Sequence, residues 1–347
     1  MAMRWMEGWE THTNTNQLIR KYATFTGSIS SQAGRVFGNS AGILSTVAVT
    51  KSLGLADTWI LAFAVRITSQ QTGLNSGNQG LYIEKASAEQ VHVEFVNNAG
   101  SFEIRLKRGS TTLFTTSAAY AYGNWHHFEL KVTVNTSTGA YELRHDEVFV
   151  TSATGQNTAN AGSNQADIFA LRFTSNVSTT FLLDDINFKD GTGSVNNDFL
   201  GDFIVEGCTI NGAGASTQWT NDAGSGSNFN NVQDPGNAAP DESGPGGTNS
   251  SDTSGQKDLY AMTDLAHIDG AIAAVQIEAQ LAMQAAGSRN VKIKYRDDGG
   301  TDGDAATVTV ASTTFDEFDV VLDVNPVTSV AWDVSDINGG QIGVEVA

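Results

Sequence analysis

Two adjacent aspartates, Asp184 and Asp185, stand inside the apolar run FLLDDINFKD. Neighbouring carboxylates suit general acid–base work or a hard cation, so their placement comes first. Adjacent residues of a strand point to opposite faces, which keeps this pair from converging on one substrate. On that alternation Leu182, Asp184, Ile186 and Phe188 share one face, and Phe181, Leu183, Asp185 and Asn187 the other. The first set is the more apolar and is assigned to the core. Asp184 is then a buried carboxylate that must accept hydrogen bonds, expected from backbone N–H groups of a neighbouring loop. Asp185 is expected to be solvated and replaceable. Both roles are structural.

Other chemistry-bearing residues are sparse. RDDGGTDGDAA (296–306) sets Asp297, Asp298, Asp302 and Asp304 around three glycines, a weak Ca²⁺ candidate, since oxygen ligands on a tight loop suit that ion. The D-x-D-x-D-G register and its distant Glu are missing, so a solvated turn is the competing reading; no other cofactor is indicated. His126 and His127 point apart on a strand, and no Cys/His spacing suggests zinc. A retaining glycosidase needs two carboxyls about 5–5.5 Å apart, which alternating acids on one strand supply in an E-x-D-x-x-E pattern. No such pattern occurs; the nearest acidic run, Asp316-Glu317-Phe318-Asp319, has the wrong spacing. There is no G-x-S-x-G, P-loop or Cys–His arrangement. No catalytic residue is assigned. Cys208, the single cysteine, reads as a buried thiol. Trp125 and Trp332 are taken as structural, Trp125 in the core rather than as a sugar-stacking platform.

The elements that must position these residues are strands. TWILAFAVRIT (58–68), VHVEFVN (91–97), SFEIRLKRGSTTLFTT (101–116, two strands around Arg108-Gly109-Ser110), NWHHFELKVTVN (124–135), YELRHDEVFVTS (141–152), ADIFALRFTS (166–175) and FLLDDINFKD (181–190) follow one another with no convincing helix. That is the pattern of an antiparallel sandwich or jelly roll. In AIAAVQIEAQLAMQAA (271–286) composition favours helix, but the alternation of Val275, Ile277, Ala279, Leu281 and Met283 predicts a strand. VKIKYRDD, AATVTVAS, FDEFDVVLD and QIGVEVA continue the set. The fold expected is all-β, two antiparallel sandwiches in tandem.

The charge divides the same way. The chain of 347 residues carries −19 overall. Residues 1–195 hold 14 Lys/Arg against 15 Asp/Glu, a net −1, and residues 196–347 hold 5 against 23, a net −18. The domains are therefore expected at 1–195 and 196–347, the second with a long irregular loop over about 222–256 that holds three of the four prolines. So acidic a chain is not expected to bind nucleic acid or insert in a membrane. The opening MAMRWMEGWETH lacks an apolar h-region, so no signal peptide is expected.

EGWETH, GNWHHFELKVTVNTSTGAYELRHDEVFVTS and FLLDDINFKD together resemble concanavalin-like, laminin-G-type jelly rolls, over about residues 5–190. With DGTGSVNNDFLGDFIVE, GQKDLYAMTDL and NPVTSVAWDVSDINGGQIGVEV, the whole resembles tailed-bacteriophage virion proteins. This resemblance implies a non-enzymatic virion component of the tail, a fibre or an appendage, folded in the host cytoplasm. Its implied partners are other virion proteins, further copies of itself and a host-surface glycan. A capsid-surface decoration protein is the alternative. A polysaccharide-degrading enzyme is a third reading, opposed by the missing carboxylate pattern.

Overall fold

A computed structural model describes residues 2–10, 21–36, 38–70, 74, 79–160, 162–173, 181–222, 226–232 and 247–347. The chain is all-β apart from short helical turns and divides into two units, Met1–Val205 and Glu206–Ala347.

The first unit's strands are β1 (Met3–Glu7), β2 (Thr24–Ala33), β3 (Asn39–Ala56), β4 (Thr58–Ile67), β5 (Gly80–Lys85), β6 (Ala88–Asn98) and β7 (Ser101–Arg108). They continue as β8 (Thr111–Thr115), β9 (Tyr120–Ala121), β10 (His126–Thr133), β11 (Gly139–His145), β12 (Val148–Gln156), β13 (Ala166–Phe173) and β14 (Phe181–Asp190). All pair antiparallel, eleven of them in the order β12-β11-β10-β4-β14-β3-β13-β5-β6-β7-β8, with β1 on β14, β2 on β3 and β9 on β7. β4 and β6 are five steps apart in that order, about 24 Å in a flat sheet. Yet Phe63 of β4 meets Phe95 of β6 edge-on at 6.0 Å. The sheet therefore curls over and packs its inner face on itself, as a jelly roll does. Phe95 also meets Phe181 at 4.8 Å, and Phe169 meets Phe188 at 4.6 Å. Each such ring, fully buried, contributes roughly 1.5–3 kcal/mol.

The Asp184-Asp185 pair sits where β14 changes partner. Its first residues pair with β3 (Leu183 with Ala41) and its last with β1 (Ile186 with Glu7). Against β4 the register slips between Asp184, opposite Ala64, and Asn187, opposite Ala62. One extra residue is accommodated as a β-bulge, with Asp185 at φ +51. The bulge switches parity, so Phe181 and Leu183 before it and Ile186 and Phe188 after it all reach the same core. Asp184 is buried and accepts from Arg35 N (2.7 Å) and Asp185 N (2.9 Å). The expected loop donor is thus Arg35. Strict alternation across the bulge is corrected, and with it the role of Asp185. Asp185 is buried too, its Oδ2 2.6 Å from Arg35 Nε and its Oδ1 accepting from Val205 N at 2.8 Å.

Residues 196–205, assigned from the sequence to the second domain, pack on the outer face of β10, β11 and β14. Glu129, buried on β10, accepts from Leu200 N (2.8 Å) and Gly201 N, while Arg144 lies 4.1 Å over the Phe199 ring. Arg35 closes the segment, donating to Asp202 (2.5 Å) and to the Phe203 carbonyl (2.8 Å). Trp125 is a further correction. It precedes β10 with the parity of His127 and Glu129, away from the core that Phe128, Leu130 and Val132 enter, and it is half-buried. The stretch 141–152 is two strands rather than one. Asp146 (φ +45) and Glu147 (φ +66) make a tight hairpin between β11 and β12.

The second unit holds β15 (Ile210–Thr217), β16 (Thr220–Asn221), β17 (Asn249–Ser250), β18 (Lys257–Met262), β19 (Val275–Leu281), β20 (Arg289–Arg296), β21 (Asp302–Val310), β22 (Asp316–Leu322) and β23 (Gln341–Val346). A sheet ordered β15-β18-β23-β20-β21 and the ribbon β19-β22 enclose Ile277, Ile293, Tyr295, Val320, Leu322, Trp332 and Ile337. Trp332 is structural: its Nε1 donates to the Leu322 carbonyl and its ring meets Tyr295 edge-on at 5.0 Å. Of the expected loop at 222–256, residues 223–225 and 233–246 lie outside the described residues. Its described parts are a turn at Asn228–Asn231 and β17, both tied to Asp258 and its neighbours. Asp258, fully buried, accepts from Gln218 N (2.6 Å), Trp219 N (2.8 Å), Asn228 Nδ2 (2.5 Å) and the Tyr260 hydroxyl (3.0 Å).

Replacing Asp258 by Ala strands these four donors, two of them on the buried Asn228 and Tyr260, and is expected to destabilise the second unit by roughly 3 kcal/mol. Chemical denaturation of the full chain followed by tryptophan fluorescence checks it; a loss within about 0.5 kcal/mol, as for an ordinary surface change, contradicts the role.

A pH dependence follows from the bulge. Burial, and then the charge of Asp185, push Asp184 up to about 8, and burial with Asp184 pushes Glu10 up to about 10. The folded state then holds protons that the unfolded chain has released, so stability falls as pH rises toward those values. His127, driven down to about 4 mainly by burial, and Lys189, driven down to about 8 mainly by burial, act outside pH 6.5–8. Within that window the melting temperature of the first unit is expected to fall, and Asp184→Asn to flatten the fall. A rise, or an unchanged slope in the variant, counts against this.

Candidate functional site

The curl leaves the outer face of β13, β5, β6 and β7 carrying an unusual set of side chains. Cross-strand pairing places Ala170, Tyr82, His92 and Lys107 in one row, and Arg172, Gly80, Glu94 and Arg105 in the next. Val91, Val93 and Phe95 enter the core from β6, so Gln90, His92 and Glu94 point the opposite way. An outer face is normally wet, but Tyr82 is 1% exposed, His92 3%, and Glu84 and Glu94 are buried. Arg172 and Arg105 remain about one-third exposed and stand at the rim.

The rings of Tyr82 and His92 stack at 4.5 Å, nearly parallel, and the Arg172 guanidinium lies 4.9 Å over the Tyr82 ring. Arg172 also pairs with Glu84 at 2.5 Å, and His92 Nδ1 lies 2.8 Å from Glu89. Lys107 is 3.6 Å from Glu94, and Arg105 is 2.6 Å from Glu103. Several polar atoms of the floor are left over: the Tyr82 hydroxyl, His92 Nε2 and the Glu84 Oε2 atom are buried with no hydrogen-bond partner among the described residues. Leaving such groups unpaired costs roughly 1–3 kcal/mol each. Burial, then the charge of Glu89, hold the Tyr82 phenol above the usual tyrosine range. Burial likewise raises Glu84, against the pull of Arg172. The Tyr82 phenol is therefore neutral and can donate or accept one hydrogen bond.

The residues singled out in the sequence lie elsewhere. Asp302 and Asp304 are on β21 and are neutralised, Asp302 by Lys257 and Arg296, Asp304 by Lys292 and Lys294. Asp297 caps the β20–β21 turn, accepting from Thr301 N at 2.5 Å, and Asp298 lies against Gly339. Three of the four carboxylates, Asp297, Asp302 and Asp304, are thus spent on separate partners. Cys208 is half-buried against the second core, and burial with the charge of Glu206 pushes its thiol up to about 11. Glu317 and Asp319 meet Glu278 across β19–β22. His126 lies near His145 and Asp146 (below). The Tyr82–His92 face was missed because no one strand displays it. Its trace is a period-two polar set on three successive strands: Tyr82 and Glu84; Gln90, His92 and Glu94; Glu103, Arg105 and Lys107.

No protein-family model and no curated protein matches this chain. Solved structures do, at the level of fold. The alginate lyase Aly36B aligns with a TM-score of 0.40 and 11% identity, covering 53% of this chain and 96% of its own. A conserved carbohydrate esterase of the Shiga toxin-encoding bacteriophage phi24B gives 0.36 and 11%, covering 48% and 88%. The carbohydrate-binding module CBM66 of Bacillus subtilis gives 0.32 and 9%, covering 48% and 94%. The non-enzymatic virion role expected from the sequence is corrected here: the names these structures carry are carbohydrate-directed, and none of the three names a virion structural protein.

Because the Tyr82 hydroxyl has no partner among the described residues, Tyr82→Phe is expected to leave the first unit as stable as before or up to about 1 kcal/mol more stable. Thermal denaturation checks this; a loss of 1 kcal/mol or more shows that the hydroxyl is already satisfied within the protein.

Proposed function

We propose that the first unit binds a neutral, hydroxyl-rich glycan on the outer face of β13, β5, β6 and β7. The observation that carries this reading is the stacked Tyr82–His92 pair, whose hydroxyl and Nε2 atoms are buried and without a hydrogen-bond partner among the described residues. Each sugar hydroxyl both donates and accepts, so one ring can satisfy both atoms, and the arginine–aromatic stack beside them offers a flat surface. The basic side chains of the face already have glutamate partners, which favours an uncharged glycan over a polyanion. The sandwich holds the site rigid, since the floor residues stand on paired strands rather than on loops.

Retardation of the full chain in gels containing single neutral or acidic polysaccharides tests the reading. At least one neutral polymer is expected to retard it, and Tyr82→Phe to weaken that binding about tenfold, the equivalent of one hydrogen bond of about 1.4 kcal/mol. No retardation by any polymer, or equal retardation of the variant, contradicts it.

A second reading rests on the same two atoms. A phenol and an imidazole side by side can donate and accept a proton, with the raised Tyr82 phenol as the acid. It expects shortening of the bound polymer that His92→Ala abolishes; an intact polymer after long incubation leaves binding alone.

A further inference from the structure

We infer that His126, His145 and Asp146 form a binding site for a divalent transition metal of the zinc type at the β10–β11 edge of the first unit. His126 opens β10 and His145 ends β11, and they are diagonal neighbours, since the register sets Phe128 opposite His145. His126 Nδ1 lies 3.0 Å from His145 Nε2, which lies 3.0 Å from Asp146 Oδ2. One nitrogen or oxygen from each of the three residues falls within 4.8 Å of the others.

The proton inventory favours a cation there. His126 Nε2 lies 3.0 Å from the Ala121 carbonyl, which can only accept, so Nε2 carries the hydrogen. In the neutral ring Nδ1 is then a lone pair aimed at His145. The carboxylate is held the same way: Asp146 Oδ1 accepts from His127 N at 3.0 Å and leaves Oδ2 directed at His145. Three electron-rich atoms face one another with at most one hydrogen, on His145 Nε2, to share between two acceptors. A metal ion satisfies all three. The backbone bonds to Ala121 and His127 supply the outer support that ligating histidines and carboxylates ordinarily have. Bonds of about 2.0–2.1 Å in a tetrahedron put ligand atoms about 3.3 Å apart, so the two 3.0 Å separations need widen by only a few tenths of an ångström, while that between His126 and Asp146, within 4.8 Å, settles to the same value. Two imidazoles and one carboxylate suit zinc or its neighbours rather than calcium or magnesium. Asp146 is more than half exposed, which leaves a fourth position to water.

This site is separate from the Tyr82–His92 face, and its failure leaves the glycan reading standing. The test is titration of the chelator-treated full chain with Co²⁺, read by visible absorption, with Zn²⁺ displacing it. One saturating equivalent with tetrahedral bands is expected. His145→Ala is expected to abolish the bands, and Asp146→Asn, in which Asn keeps the left-handed backbone at φ +45, to weaken binding at least about tenfold. Glu278→Gln, in the separate acidic cluster of the second unit, is expected to bind as wild type. No saturable binding to the wild-type chain, or binding undiminished in both His145→Ala and Asp146→Asn, overturns the site.

Discussion

The first unit depends on one buried polar cluster, Arg35 with Asp184 and Asp185. β14 must serve two neighbours in turn, β3 and then β1, and the changeover leaves a gap in the ladder. The bulge at Asp185 absorbs the extra residue and restores the inward parity of Ile186 and Phe188. A bulge leaves polar groups bare, and these are answered by the main chain and guanidinium of Arg35. The same guanidinium reaches Asp202 and the Phe203 carbonyl, so one side chain joins a loop, a strand and the unit's final segment. Removing Arg35 leaves Asp185 buried without its ion-pair partner, which costs far more than an exposed ion pair is worth.

The curled sheet has two outer faces with many buried polar residues, and the protein treats them differently. Over β10 and β14, residues 196–205 lie across the face, and their backbone N–H groups meet Glu129. That face is closed by the chain itself. Over β5 and β6, charges are paired among themselves, yet a hydroxyl and an imidazole nitrogen are left without partners among the described residues. Buried atoms without a hydrogen bond to a described residue occur on both faces, on His127 and Asn187 as well as on Tyr82 and His92, but residues 196–205 already lie over the first face, and recognition is therefore placed on the second.

Much of the fold was legible in period-two alternation. It marked β4, β6, β10, β13 and β14, and it correctly made Val275–Leu281 a strand against the helix propensity of its alanines and glutamines. It gave no warning of β2 and β3, where TFTGSISSQA and the long NSAGILSTVAVTKSLGLA mix small and polar residues. The burial cost of a carboxylate made Asp184 a hydrogen-bond acceptor before any partner was known. The same reasoning failed for Asp185 because a bulge inserts one residue with no sequence mark. Trp125 failed by one position, the uncertainty of a strand's first residue. The candidate site was the least legible. Tyr82, His92 and Arg172 come from three strands spread over ninety positions, and only the register of the sheet sets them side by side.

The most direct test is a nuclear magnetic resonance titration of the full chain, with labelled histidine and tyrosine side chains, against a retarding neutral glycan. The account predicts that the His92 Nε2 and Tyr82 ring resonances shift in saturable fashion while those of His127 and His145 hold still. Saturable shifts that spare His92 and Tyr82, or none at any glycan concentration, would contradict it.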